Sequence, residues 1–242
     1  SGGFDVLASH TYAQEIASGS FSVAITDVAN PVTQQTYTQS ATAAVANAPV
    51  SITALSATPN TINEDGSTIL TGSFTNTGML DTHTVTITWD DGSTTTISLD
   101  AGTREFSATH HYANNKPSDA PFSIGVTVSS DDGASDTSST SVVVHNVAPG
   151  NVTLTADTNN VYEEGQTLQY TASATDVAGD TVAFSWQVSY QNTTIASGTG
   201  SAISFQAGNN GSYLISVVAS DGETYNNAGS TSLDVAVANV AP

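Results

Sequence analysis

Oxygen is the chemistry this sequence offers. Of its 242 residues 22 are Asp or Glu, only Arg104 and Lys116 are Lys or Arg, and the formal net charge is −20. Many of the carboxylates stand in short polar stretches: Glu64-Asp65, Asp90-Asp91, Glu163-Glu164, Asp176, Asp180 and Asp221. Hard carboxylate and amide oxygens suit calcium, which takes about six to eight of them at relaxed geometry. Turn chemistry alone also accounts for Asp beside Gly, so the same residues have a purely structural reading. Other chemistries find less support. Glu163 and Glu164 are neighbours on one loop, which sets up no acid–base pair across a cleft. A chain rich in Ser, Thr and Asp produces Ser/His/Asp triples by chance. His10, His83, His110, His111 and His145 are scattered, and His110 and His111 fall on opposite faces of one strand, so they share an ion poorly. The expectation is a chain that is not an enzyme.

The elements that must position these oxygens show as internal repeats. Residues 45–49 read Val-Ala-Asn-Ala-Pro, residues 144–149 Val-His-Asn-Val-Ala-Pro and residues 237–242 Val-Ala-Asn-Val-Ala-Pro. Each follows a stretch of alternating residues, and a Pro directly after a strand marks a chain exit because it cannot donate to the ladder. The spacing matches an Ig-like sandwich of about 100 residues. Within 48–147 the pattern predicts strands over 50–57, 68–74, 83–89, 94–99, 105–112, 122–129 and 137–144, with Asp90-Asp91-Gly92-Ser93 turning the third into the fourth. Trp89 and Tyr112 read as core. Residues 148–242 repeat the plan: Glu163-Glu164-Gly165 stands for Glu64-Asp65-Gly66, Trp186 for Trp89, Asp221-Gly222 for Asp132-Gly133, and Gln191-Asn192 forms the hairpin turn. Residues 1–47 match only the second half of the unit, with His10-Thr11-Tyr12 on His110-His111-Tyr112 and Phe21–Asp27 on Phe122–Asp131. The predicted class is all-β: tandem antiparallel sandwiches of about seven strands over 48–147 and 148–242, with an incomplete unit over 1–47.

Alternating strand directions sort the loops to two poles. At the pole where the 48–147 unit ends stand Glu64, Asp65, Asp90 and Asp91. At the facing pole of the next stand Asp176, Asp180 and Asp221, with Asn146 in the linker. The expectation is calcium at this junction, ligated from among those eight residues, offsetting carboxylate repulsion and stiffening the string. The linker itself lacks Asp.

Several stretches resemble PKD-type domains of bacterial and archaeal extracellular repeat proteins. They are Gly72-Ser73-Phe74, Leu80-Asp81-Thr82-His83, Ile87-Thr88-Trp89-Asp90-Asp91-Gly92-Ser93, Thr109-His110-His111-Tyr112 and Val126-Thr127-Val128 leading into Asp131-Asp132-Gly133. Asp90 stands where the family pattern has Gly. The resemblance covers 48–147 best, then 1–47, and 148–242 least. It implies a seven-stranded sandwich used as an extracellular spacer, adhesion or assembly module.

Composition narrows the partners. A chain this acidic repels a phosphate backbone and an anionic membrane surface, so neither nucleic acid nor membrane insertion is expected. No apolar run approaches a membrane span and there is no Cys. Ser and Thr exceed a quarter of the residues, as suits thin sandwiches that bury one face of each strand. Three sequons, at Asn151, Asn192 and Asn210, are explained by chance in such a sequence. The opening Ser1-Gly2-Gly3 lacks an initiator Met, which points to a processed form or a fragment. Residues 1–47 provide about three strands, too few to bury a core. Completion by upstream chain or by another copy is expected, the second building a filament if head-to-tail. The leading expectation is therefore a secreted, cell-surface structural or adhesion module, with other copies of itself or adjacent repeats as partners. The alternative is a spacer or carbohydrate-binding module of a secreted hydrolase that contacts surface glycans.

Overall fold

The computed structural model describes residues 5–26, 35–223 and 228–241. The opening Ser1-Gly2-Gly3, Asp27 and the final Pro242 lie outside the described residues. The chain is all-β. Its strands are β1 (Ile16–Thr26), β2 (Thr36–Val45), β3 (Ser51–Thr58), β4 (Thr61–Asn63), β5 (Gly66–Thr75), β6 (His83–Thr88), β7 (Thr94–Leu99), β8 (Glu105–Tyr112), β9 (Phe122–Ser130) and β10 (Ser135–His145). They continue as β11 (Gly150–Ala156), β12 (Thr167–Thr175), β13 (Ala183–Tyr190), β14 (Thr193–Thr199), β15 (Ala202–Gln206), β16 (Gly211–Ser220) and β17 (Ala228–Val237). The sheets run β1-β2, β3-β5-β8, β4-β10-β9-β6-β7, β11-β12-β15 and β14-β13-β16-β17. The strands arise from period-2 alternation of Val, Ile and aromatic residues with Ser and Thr, which packs one pleated face and solvates the other. The stretches 94–99 and 105–112 are strands over those same spans, and the others differ by a residue or two at their ends.

Two compact units can be described separately. One comprises the described residues of Ser1–Ala57, Ile69–Thr109 and Ser123–Thr140. In it β6 pairs antiparallel with β7 and β9, and Val85, Ile87, Trp89, Ile124, Val126 and Val128 are buried. The Trp89 indole N–H donates to Thr95 Oγ1 at 2.9 Å, so the ring enters the core without an orphaned donor. In the same unit β1 and β2 form a two-stranded hairpin whose residues are mostly exposed. Of the about three strands expected before residue 48, the described residues hold these two.

The other unit comprises Thr58–Thr68, His110–Phe122 and Ser141–Pro242. Its core gathers Leu168, Tyr170, Trp186, Val188, Ile203, Phe205, Tyr213, Ile215, Val217, Val235 and Val237 from two facing sheets. Trp186 donates its indole N–H to Gly200 O at 2.7 Å. Gln191 and Asn192 both take positive φ, 49° and 61°, which is the two-residue turn that closes β13 onto β14. One short element fixes the position of a carboxylate. Strand β4 pairs in parallel with the end of β10, Asn63 opposite His145, and Glu64 N–H then donates to His145 O at 2.9 Å. This locks the residue after β4 beside the exit of β10.

Candidate cation site

Glu64, placed by that strand pair, is 3% exposed. Its Oε1 accepts from the Val147 N–H at 2.7 Å, and its Oε2 is buried with no hydrogen-bond partner among the described residues. The loop between β8 and β9 supplies the next wall. Asp119 Oδ1 accepts from Asn115 Nδ2 at 3.0 Å and from the Asn146 N–H at 3.3 Å, while Oδ2 meets His145 Nδ1 at 2.8 Å. These bonds hold the loop on the linker and leave Asn115 Oδ1 buried and unbonded. Asn146 is 2% exposed and donates Nδ2 to Asp221 Oδ2 at 2.9 Å. Asp221 Oδ1 accepts the Glu223 N–H at 2.9 Å. From the loop between β12 and β13, Asp180 Oδ1 accepts from Asn114 Nδ2 at 3.0 Å and Asp176 Oδ1 accepts the Val177 N–H at 2.9 Å. The second oxygens of Asp176 and Asp180 are buried without a hydrogen-bond partner.

The pattern is uniform. Glu64, Asp176 and Asp180 each use one carboxylate oxygen on a protein donor and leave the other without one. A buried acceptor left without a donor costs about 1–3 kcal/mol, and more when charged. The electrostatics add to that cost. Burial pushes the Glu64 carboxyl above its ordinary range, the Val147 and Asn115 N–H groups oppose this, and the charges of Asp180 and Asp176 reinforce it. Asp176 is raised as well, by burial first and then by Asp221 and Asp180, against the Val177 N–H. The protonatable base in these hydrogen bonds is His145, which faces Asp119. A hard divalent cation is the species that satisfies several donorless oxygens and their repulsion at once. Glu64, Asn115, Asp176 and Asp180 each leave a buried oxygen without a hydrogen-bond partner among the described residues, while Asn146 bonds Asp221.

No protein-family model matches the chain, and no curated protein matches it. Solved structures similar to it include a four-repeat segment of the extending region of a large adhesion protein, at 15% identity and a TM-score of 0.48. It matches over 93% of this chain and 57% of that one. Another is the adhesin InvE of Yersinia pseudotuberculosis, at 16% identity and a TM-score of 0.38, over 76% of this chain and 58% of that one. The chain thus spans less than two thirds of either. Among the described residues no helix is long and apolar enough to cross a membrane.

Of the eight residues the sequence nominated, the hydrogen bonds and charges above link Glu64, Asn146, Asp176, Asp180 and Asp221. Asp65 is directed elsewhere, exposed and 2.9 Å from His111 Nε2. Asp90 takes a positive φ of 66° and accepts the Ser123 N–H at 2.8 Å. Asp91 Oδ1 accepts the N–H and hydroxyl of Ser93 at 2.9 and 2.5 Å. These last two carboxylates shape and anchor the β6–β7 turn. Sequence reasoning overlooked Asn114, Asn115 and Asp119. Their signal was the polar run that begins two residues after Tyr112, on the loop that must return to the pole where β10 ends.

Proposed function

We propose that the chain is a non-catalytic structural and adhesion module of an extracellular, cell-surface repeat protein. It is built of PKD-like sandwiches over 48–147 and 148–242 and the second half of another over 1–47, with calcium bound at the Glu64 cluster. One observation carries the reading. The β1–β2 hairpin bears an apolar face like those that are covered elsewhere in the chain, yet Phe21 is 51%, Ile25 53% and Tyr37 65% exposed. Phe21 and Ile25 are four residues apart on β1 and Tyr37 is opposite Ile25, so all three share that face. A lone hairpin is marginal in water. Strands from an adjacent repeat or from another copy of the chain complete it, and a head-to-tail arrangement propagates into a filament. Electron microscopy of the native material tests this: strings or filaments are expected, and isolated, non-associating particles of the full-length parent protein would sink the assembly reading. Calcium has its own test. Thermal melting of the full chain with calcium and with chelator is expected to differ by several degrees, and identical midpoints overturn the calcium assignment.

A spacer or carbohydrate-binding role on a secreted hydrolase draws on the same exposed aromatics, Phe21 and Tyr37, since Trp89 and Trp186 are buried. Glycan-array retention that disappears in Tyr37→Ala favours that alternative.

A further inference from the structure

We infer that the chain carries a second calcium site, formed by Glu15, Asp81 and Asp132 at the foot of the β1–β2 hairpin. All three belong to the first compact unit. One oxygen from each lies within 4.8 Å of the others. That is the spread of ligands around one ion with oxygens at about 2.3–2.6 Å. Asp81 is 1% exposed, and its Oδ2 is buried with no hydrogen-bond partner. Asp132 Oδ2 is buried and donorless too, while its Oδ1 takes the Ser130 hydroxyl. Three carboxylates thus converge, and two of their oxygens, Asp81 Oδ2 and Asp132 Oδ2, are buried without a hydrogen-bond partner among the described residues. Arg104, the nearby guanidinium, is committed to the carbonyls of Asn76, Thr103 and Gly78 at 3.3, 2.9 and 2.8 Å. Among the described residues no His nitrogen joins the group, although buried His83 feels the charges of Asp81 and Asp132, and the chain has no Cys, so the donor set is all oxygen. It suits a hard cation, and calcium tolerates irregular geometry better than magnesium.

The backbone is shaped for the carboxylate. A Cβ at Gly78 would lie 2.0 Å from Asp81 Oδ2 and 2.5 Å from Oδ1, so the Asp81 carboxylate occupies space only a glycine leaves open.

The repeat supplies independent support. His10 and Tyr12 meet edge to face at 4.6 Å and 87°, and His110 and Tyr112 do so at 4.6 Å and 88°. Three residues beyond the tyrosine stand Glu15 in one case and Asn115 in the other. The linker Asn47 corresponds to Asn146: Asn47 Nδ2 donates to Asp132 O at 3.2 Å, and Asn146 Nδ2 donates to Asp221 Oδ2 at 2.9 Å. Asp132-Gly133 corresponds to Asp221-Gly222, each with the glycine at positive φ, 96° and 89°. Asp81-Thr82 corresponds to Asp180-Thr181. The positions that gather oxygens around Glu64 therefore gather them again around Asp81, with a carboxylate at 15 where the other cluster has an amide. An ion here ties Glu15, at the start of β1, to the loops that carry Asp81 and Asp132.

Calcium titration calorimetry on the metal-stripped full chain separates the two sites. Asp81→Asn and Glu15→Gln are each expected to remove or weaken one calcium event by more than the roughly tenfold that even outer-shell changes cost metal sites. Glu64→Gln is expected to leave that event in place. Glu15 is exposed, so its variant folds even if Asp81→Asn does not. Gly78→Ala, which displaces Asp81 without changing charge, is expected to behave like Asp81→Asn. Loss of the event in Glu64→Gln alone, or unchanged binding in both Glu15→Gln and Asp81→Asn, overturns this site and leaves the Glu64 assignment standing. Absence of any calcium event in the wild-type chain overturns both.

Discussion

Two hairpins of this chain carry the same kind of strand and meet different fates. In β16, Tyr213, Ile215 and Val217 alternate along one face and are 1%, 0% and 0% exposed. In β1, Phe21, Val23 and Ile25 alternate in the same way, and Phe21 and Ile25 remain half exposed. The difference lies in what stands opposite. Strand β16 pairs with β13, and Tyr213 packs on Phe205 of β15, from the facing sheet, with ring centres 5.9 Å apart. The described residues put no facing sheet on β1 and β2, whose sheet has two strands. Alternation chooses which face is apolar; only another layer turns that face into a core.

The sharpest way to break the comparison is to truncate equivalent side chains. Ile215→Ala removes fully buried atoms and is expected to cost about 2–5 kcal/mol. Ile25→Ala, half solvated, is expected to cost roughly 0.5 kcal/mol or less in the isolated chain. Hydrogen exchange of the β16 and β1 amides in denaturant reads each region separately. Equal costs would mean that β1 is covered in solution.

Next in size is a difference of sign at the feet of the two regions. Glu64 is raised, chiefly by burial, so its neutral form is the one the fold prefers. The stability this contributes is present below its ordinary value of 4.5 and is lost as pH rises through the raised folded value. Asp132 is lowered, by the Ser130 hydroxyl first, against some burial, with help from Ala134, Asn47 and Glu15. Its contribution is present above 3.8 and is lost as pH falls through the depressed folded value. In chelator at pH 7, Glu64→Gln is therefore expected to raise the melting midpoint by a few degrees, at about 2–4 °C per kcal/mol for a chain of this size. Asp132→Asn is expected to lower it. The gain from Glu64→Gln vanishes near pH 4, and the loss from Asp132→Asn vanishes well below 3.8. Melting curves across that range check both, and shifts of the same sign would undo the contrast.

The sequence made the strands legible because burial on one face writes itself as period 2. It did not reveal β4, which has three residues and gains its place from parallel pairing with β10 rather than from any pattern of its own. That short strand decides which of two adjacent acids turns inward: Glu64 is buried and Asp65 meets His111. Adjacency alone could not choose between them. Asp90 and Asp91 looked equally suited to a metal, but positive φ at Asp90 and the Asp91–Ser93 bonds place them in turn chemistry. Asn115 and Asp119 escaped notice because their loop is irregular, with Ser118 and Asp119 at φ of 58° and 54°. The Asp81 cluster was within reach. Aligning His10-Thr11-Tyr12 with His110-His111-Tyr112 already puts Glu15 on Asn115, but what Asn115 does depends on which atoms are left unbonded, and that is a property of the packed loop.

The smallest effect on stability carries the finest test of what covers β1 and β2. Tyr37 stands opposite Ile25, is 65% exposed and bonds only locally, its hydroxyl donating to Gln35 Oε1 at 2.5 Å. Replacing it by Ser removes little that is buried, so Tyr37→Ser is expected to leave the melting midpoint within about 0.5 kcal/mol of wild type. If another copy supplies the missing layer, that ring becomes a buried aromatic in the assembly, and large aromatics dominate the energetics of such contacts. Sedimentation of the chain at increasing concentration is then expected to show association in wild type and its marked weakening in Tyr37→Ser. Leu214→Ser on β16 is the matched control, since Leu214 is 40% exposed and points away from its own core. Equal loss of association in the two variants would point to a generic apolar effect. Loss in Tyr37→Ser alone ties assembly to the one hairpin whose apolar face the described chain leaves uncovered.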